Sequence, residues 1–360
     1  MTGTMVAPSS AADRALCVEM LPRVSRTFAI CIRLLPAPLD YSVLVAYLLC
    51  RIADTIEDSI ELAAGQKDHL LQHFSRCLDA GGPDAEPLQT AFAEPSSDHE
   101  LLAREADTIL REFRQLPAAQ QDAVRPWVKE MSAGMAEFSR RRDDAGGKGL
   151  EALATIDELD RYCYYVAGTV GHLLTDLFHL HGRSGGARRY ARLKSLATSF
   201  GRGLQLTNII KDVADDRRRG WSFVPRQLCQ VVGICPEDLQ DERHREEGRR
   251  VMLALIDKTK THLLDALDYS TTLSRTQYGI RRFCLASLYF AVRTLRLAER
   301  DKRLLDPHHK VKITRGDVYR TLAMTRFVAP SNTLVRTYFR RLAGDAWWRR
   351  RPPAPVATPS

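Results

Sequence analysis

The stretch Tyr41–Leu62, YSVLVAYLLCRIADTIEDSIEL, constrains the chain most. It holds neither Pro nor Gly, and its apolar residues recur at helical spacing, which predicts a helix. Pro36 and Pro38 precede it, and Asp40 is the expected N-cap. Tyr47, Arg51, Asp54 and Asp58 step by four, three and four, so they share one helix face, with Glu57 beside Asp58. Carboxylates one turn apart repel. Among neighbours such as Leu48, Leu49, Ile52 and Ile56 they require a compensating charge. A hard cation such as Mg²⁺ meets that need, because it takes carboxylate oxygens and keeps positions for phosphate oxygens. Taken alone, this stripe reads first as a solvated acidic face.

A second stripe changes the balance. In GLQLTNIIKDVADD, Gly203 to Asp216, the residues Gln205, Asn208, Asp212 and Asp216 step by three, four and four. Asp215 stands beside Asp216 as Glu57 stands beside Asp58. Two acid-ended polar stripes on otherwise apolar helices predict two walls of one cavity. If the walls face each other, divalent cations and a diphosphate fit between them.

A chain of 360 residues with 44% hydrophobic content can bury a substantial core as one large helical domain. Its net charge of +9 is spread over clusters at Arg140–Arg142, Arg217–Arg219, Arg243–Arg250 and Arg349–Arg351. No nucleic-acid reader motif accompanies them, so no nucleic-acid partner is expected. Anionic small substrates or an anionic membrane surface suit the charge better. The eight Cys form no CxxC pair, which points to a reducing, cytoplasmic setting. The N-terminal MTGTMVAPSSAADRAL lacks the basic-then-apolar order of a secretory signal. No apolar run reaches the roughly 18 residues of a spanning helix, so no transmembrane anchor is expected.

Along the chain, residues 1–10 and the Trp, Arg and Pro-rich 346–360 are expected to be disordered, with a helical domain over 11–345. Ser25 and Arg26, entering an apolar helix, read either as cap and surface charge or as a phosphate clamp. Residues 79–100 read as a loop, and Pro126 as the true start of the helix drawn over 118–142. A helix over 155–180 contains Gly168 and Gly171, which suggests close approach by a backbone or a bulky ligand. DPHHKVKITRG, Asp306 to Gly316, reads as a mobile flap. Alternating strand patterns, a Gly-rich βαβ fingerprint and solenoid repeats are all lacking. The expectation is a single all-α domain around a central cavity.

Four segments carry a resemblance to a known family: SRTFA at Ser25–Ala29, YLLCRIADTIEDS at Tyr47–Ser59, YCYYVAGTVG at Tyr162–Gly171, and LQLTNIIKDVADDRRRGWSFVP at Leu204–Pro225. In this order they resemble the squalene and phytoene synthases, the head-to-head prenyltransferases. The resemblance implies an all-helical class I isoprenoid synthase fold. It implies Mg²⁺ (or Mn²⁺) held by Asp54, Glu57 and Asp58 on one side and Asp212, Asp215 and Asp216 on the other. Ser25, Arg26, Tyr47, Arg51, Gln205, Asn208 and Lys211 fall on diphosphate-side positions, Lys211 standing where Arg is usual. Tyr162 matches the tyrosine that acts as base or cation stabiliser, and Phe28 and Phe283 would line the deeper pocket.

Within the family, two stretches look most like squalene synthases. Phe283-Cys284 begins an FCAIP-like segment, with Ser287 where Pro would stand. VKITRG, Val311 to Gly316, resembles the VKIRKG flap that contacts NADPH phosphates, Lys312 and Arg315 keeping the charge and Thr314 losing one. Trp221 stands where Arg is common. The implied reaction joins two farnesyl diphosphates through presqualene diphosphate and reduces the product with NADPH to squalene. The alternative is a phytoene or dehydrosqualene synthase, which omits the reduction. A non-catalytic scaffold relative is disfavoured by the intact acidic motifs, and a terpene cyclase by the tyrosine-glycine helix. A monomer is expected, with peripheral membrane contact through Trp347 and Trp348.

Overall fold

The computed structural model describes residues 10–144, 150–182, 186–345 and 347. Two helices organise it. The first acidic helix spans Leu39–Asp58 and the second Gly186–Arg218. The second runs along the Arg245–Thr272 helix, and Tyr278–Arg300 packs on both. Thr169–Gly182 touches both acidic helices and lies against Ala118–Asp144, so it ties the two walls together. Leu48, Leu49 and Ile52 of the first helix and Leu206 and Ile210 of the second are fully buried. Burying such side chains is worth roughly 1.5–3 kcal/mol each, and it fixes which face of each helix the polar stripe can occupy. Strand structure among the described residues is one parallel pair, Glu151–Ala152 against Trp221–Ser222, which closes the turn after the second acidic helix.

Several boundaries differ from expectation for local reasons. The first acidic helix starts at Leu39 with Pro38 at the cap, so Asp40 sits in its first turn, where a carboxylate suits the helix dipole. It stops at Asp58, short of Leu62, because Ser59 turns to an extended backbone and the end carbonyls find other donors. Ser59 N–H bonds Thr55 O at 3.2 Å, and the buried Lys67 ammonium donates to Glu57 O at 2.5 Å. Residues 79–100 hold two short helical pieces, Glu86–Ala91 and the start of Asp98–Arg104, each pinned by one buried leucine, Leu88 and Leu102. Ala118–Asp144 continues through Pro126, held beyond it by buried Val128, Met131 and Met135.

The helix expected over 155–180 is three pieces: Ile156–Cys163, a π-helical Tyr164–Gly168, and Thr169–Gly182. A Cβ on Gly171 would strike the Ala197 carbonyl oxygen, and one on Gly201 the Ala167 oxygen. The glycines therefore let two helix backbones touch, and the widened π turn sits at that contact. The Asp306–Gly316 segment is tied down at several points: Val311 is buried, His309 Nε2 lies 2.6 Å from Asp301 Oδ2, and Thr314 caps the Arg315–Val328 helix.

The expectation for Trp347 does not hold. It is 2% exposed, its indole N–H points to Glu299 Oε2 at 3.3 Å, and the Lys260 ammonium sits 5.2 Å from its ring centre. A buried, hydrogen-bonded indole cannot serve a membrane interface. Trp348, residues 1–9 and the rest of the expected tail lie outside the described residues.

Candidate active site

One cavity of about 660 Å³ opens between the two acidic helices. Its polar end collects Arg51 and Asp54 from the first helix and Gln205, Asn208 and Lys211 from the second. Ser25 and Arg26 enter from the short Arg26–Ile32 helix, and Lys310 and Lys312 from the segment before Arg315–Val328. Its deep end is apolar. Phe28 stacks on Tyr47 at 5.0 Å and meets Phe283 edge-on at 5.5 Å, and Phe178 meets Phe283 at 5.8 Å. Val170, Leu173 and Leu174 complete that wall from the glycine-bearing helix.

The four-residue step from Tyr47 to Arg51 does what helical spacing requires. Arg51 Nη2 donates to Tyr47 Oη at 2.9 Å, and its Nη1 lies 3.3 Å from Asp54 Oδ2 one turn on. Burial opposes charge on Arg51, but Asp54, Tyr47 and Asp58 outweigh it and hold the guanidinium firmly protonated. Arg51 Nε is buried with no hydrogen-bond partner. Ser25 caps its helix, accepting from Phe28 N–H at 3.3 Å, yet also lines the cavity, so cap and cavity contact coexist.

The carboxylates repel across the gap. Burial pushes Asp54 up to about 6, with Arg51 pulling down and Asp58 pushing up. Asp216 is pushed up to about 7, by burial first, then by Asp212, while Arg219 pulls the other way. Asp58, from the opposite helix, adds to the rise. The two acidic ends are therefore near enough for their charges to act on one another. Lys310 bridges the second set: its ammonium contacts Asp215 and lies 3.4 Å from Asp212 Oδ1. Asp215 is consequently held below its ordinary value, against the effect of burial. Asp212 also contacts Lys211, and Asp215 also contacts Arg218.

Some site residues named from the sequence lie off the cavity lining. Glu57 is buried and its carboxyl is raised, by burial first and then by Asp58 and Asp54, with Lys67 offsetting. Tyr162 lies near Glu57, stacks on Phe223 at 4.6 Å and meets Phe138 edge-on at 5.3 Å. Its phenol is strongly raised by burial and then by Glu57, so it stays neutral. Arg315 is exposed at the start of its helix, while Lys312 lines the cavity. Arg217, from the basic cluster after the second acidic helix, donates to the backbone oxygens of Pro236 and Glu237.

Sequence reasoning missed two lysines. Lys310 stands one residue before the VKITRG stretch, and the run of basic residues there was the available signal. Lys67 lies in an ordinary amphipathic helix, and nothing in its spacing marks it.

The donor set fits Mg²⁺. Carboxylates from both helices crowd together with their protons held unusually tightly, and Asp212 Oδ1 is buried without a hydrogen bond. Among the described residues, no three acidic, His or Cys side chains close into a ready single-ion cage. Among the described residues, no helix is long and apolar enough to cross a membrane.

Comparison with known proteins agrees with this geometry. The family profile described as squalene/phytoene synthase matches residues 21–317. The squalene synthase of Cyberlindnera jadinii is 28% identical over 335 residues, covering 93% of this chain and 72% of that protein. That of Saccharomyces cerevisiae is 30% identical over 307 residues, covering 83% of this chain and 64% of the relative. The chain thus spans roughly two thirds of the length of these two relatives. Among solved structures, the complex of TcSQS with the ligand BPH1237 superposes with a TM-score of 0.75 at 26% identity, over 92% of this chain and 91% of the other. A dehydrosqualene synthase complex shares the fold at a TM-score of 0.62 and 20% identity, over 92% of this chain and 97% of the other. With the profile covering most of its length and both acidic helices, the chain belongs to the squalene/phytoene synthase family.

Proposed function

We propose that the chain is a squalene synthase, which joins two farnesyl diphosphates head to head and reduces the presqualene diphosphate so formed with NADPH. The observation that carries this reading is one apolar, aromatic-floored cavity between the two acidic helices, lined by Asp54 from the first and by Gln205, Asn208 and Lys211 from the second, with Asp58, Asp212, Asp215 and Asp216 off the lining. The squalene synthases among its relatives direct the choice of product.

Asp54, Asp58, Asp212 and Asp216, with Glu57 and Asp215 beside them, would hold Mg²⁺. When bound, the metal supplies positive charge that stabilises the departing diphosphate. The chain's own residues supply the rest. Arg26, Arg51 and Lys211 place positive charge at the mouth, and Gln205 and Asn208 offer amide donors to diphosphate oxygens. Phe28, Tyr47 and Phe283 present ring faces and edges to an allylic cation, in a pocket whose apolar lining keeps water from quenching it. The first step releases diphosphate, forms the new carbon–carbon bonds of a cyclopropane and loses one proton. The second releases the remaining diphosphate and takes a hydride from NADPH. Tyr162 enters as a positioning residue, because its phenol lies off the cavity lining and near Glu57. Lys312 and Arg315 would receive NADPH phosphates at the open end.

The test is incubation of the purified chain with farnesyl or geranylgeranyl diphosphate and Mg²⁺, with and without NADPH, followed by hydrocarbon analysis. Squalene that appears only with NADPH supports the reading. Phytoene, or dehydrosqualene irrespective of NADPH, would replace it with the non-reducing alternative. No condensation product at all would overturn both.

A further inference from the structure

The Arg315–Val328 helix carries an exposed face for which the proposed reaction has no use. Tyr319, Ala323 and Phe327 step by four and four, so at about 100° per residue they form one stripe. Tyr319 is 69% exposed and Phe327 68%, and Ala323 is exposed between them. Arg315 and Arg326 fall along one margin of the stripe and Arg320 along the other, and all three are exposed. Tyr278 extends the patch: it is 36% exposed, and its hydroxyl donates to the Arg326 carbonyl at 2.8 Å. Arg282 lies 5.5 Å from the Tyr278 ring centre. The helix has one acid, Asp317, which points back to Thr314 and to Arg293 at 3.2 Å, with Arg320 at 3.7 Å. The opposite face is buried through Thr321 and Thr325, and Val318 lines the cavity.

We infer that this Tyr319–Phe327 face docks on an anionic lipid surface. Aromatic rings sit at the boundary between headgroups and acyl chains, and flanking arginines extend to lipid phosphates while their stems cover apolar surface. Charge decides the occupant. A second copy of the same face would set arginine against arginine, with Asp317 already engaged within its own chain. An anionic bilayer supplies the missing negative charge over the whole patch. Docking would also bring the cavity wall at Val318 and the basic mouth at Lys312 close to the lipid. The use of that proximity, passing an apolar product into the bilayer, rests on the proposed function, whereas the docking itself does not.

The experiment is flotation of the full chain with phosphatidylcholine vesicles and with vesicles containing phosphatidylglycerol. Partitioning is expected to be at least about 10-fold stronger on the anionic vesicles, and to fall as salt rises. Tyr319→Ser with Phe327→Ser, and separately Arg320→Glu with Arg326→Glu, should each reduce it about 10-fold or more, while leaving condensation in detergent-free buffer unchanged. Hydrogen exchange on the unmutated protein should show vesicle-dependent protection concentrated in residues 315–328, a readout that needs no variant to fold. Equal binding to both vesicle types, or protection elsewhere, would overturn the inference. So would a wild-type dimer dissociated by the Tyr319 and Phe327 changes, which would assign the face to a second copy. Failure of the condensation assay would leave vesicle binding unaffected, so the two readings fail separately.

Discussion

Replacing Lys310 with alanine separates two views of the cavity mouth. A lysine beside a diphosphate site is usually credited with holding anion. Here its ammonium rests on Asp215 and near Asp212, where a cation belongs, so it competes with metal in the free protein. Lys310 is 40% exposed and the two carboxylates 26% and 21%, so each pair belongs with screened surface pairs worth about 0.2–1 kcal/mol. Breaking both costs about 0.4–2 kcal/mol, which corresponds to roughly a 2- to 30-fold change in affinity. Lys310→Ala should therefore bind Mn²⁺ about 2- to 30-fold more tightly in the absence of substrate, measured by paramagnetic titration. The difference should shrink in high salt. Without metal the same variant should melt a few degrees lower, because Asp212 and Asp215 lose their counter-charge. Unchanged or weaker Mn²⁺ binding would refute the argument that Lys310 occupies the metal's place.

Other expectations follow from the same geometry. Asp54→Ala and Asp212→Ala should each lower turnover at least about 100-fold, since a lost ligand removes several kcal/mol of charge stabilisation, and near-normal rates of purified variants would contradict the assignment. Lys312→Ala combined with Arg315→Ala should let presqualene diphosphate accumulate while squalene falls, as followed by product analysis; undiminished squalene would remove the flap from the reduction. The metal-free protein should lose stability as pH rises from about 4 through 7. The folded state binds more protons than the unfolded state in that window, because burial lifts Asp54 to about 6 and Asp216 to about 7 when folded, against about 4 for an ordinary aspartate. Asp215 is shifted the other way, and its slope lies below that window. Melting curves in EDTA at pH 5 and 7.5 should show this fall and Mg²⁺ should reverse it; rising stability over that range would count against the crowded-carboxylate picture.

Much of the site was readable along the chain because helical spacing turns sequence distance into direction. Tyr47, Arg51 and Asp54 had to share a face, and in the structure Arg51 contacts both of the others. The same periodicity identified Gln205 and Asn208, which line the cavity from the other side. Burial of the intervening leucines and isoleucines leaves such stripes little choice of where to point. The all-α architecture followed from the same patterning, and from the lack of any strand or nucleotide fingerprint. The pairing of Gly171 with Ala197 and of Gly201 with Ala167 could be suspected from the glycines, but which backbone came close could not.

Contacts between segments distant in sequence carry no such period. That Asp58 acts on Asp216 depends on how Thr169–Gly182 spaces the two acidic helices. That Lys310 reaches Asp215 across 95 positions, and that Lys67 closes the end of the first acidic helix, depend on where loops return after packing. Tyr162 shows the same divide: its motif was plain in the sequence, yet packing on Phe223 and Phe138 set it off the cavity lining, near Glu57. Trp347 looked like a surface anchor by composition and is buried because Lys260, Arg296 and Glu299 assemble around it. Local spacing dictates the direction of a side chain on its own helix. Which partner it meets is a property of the whole packed core, because that alone brings distant helices to a common distance.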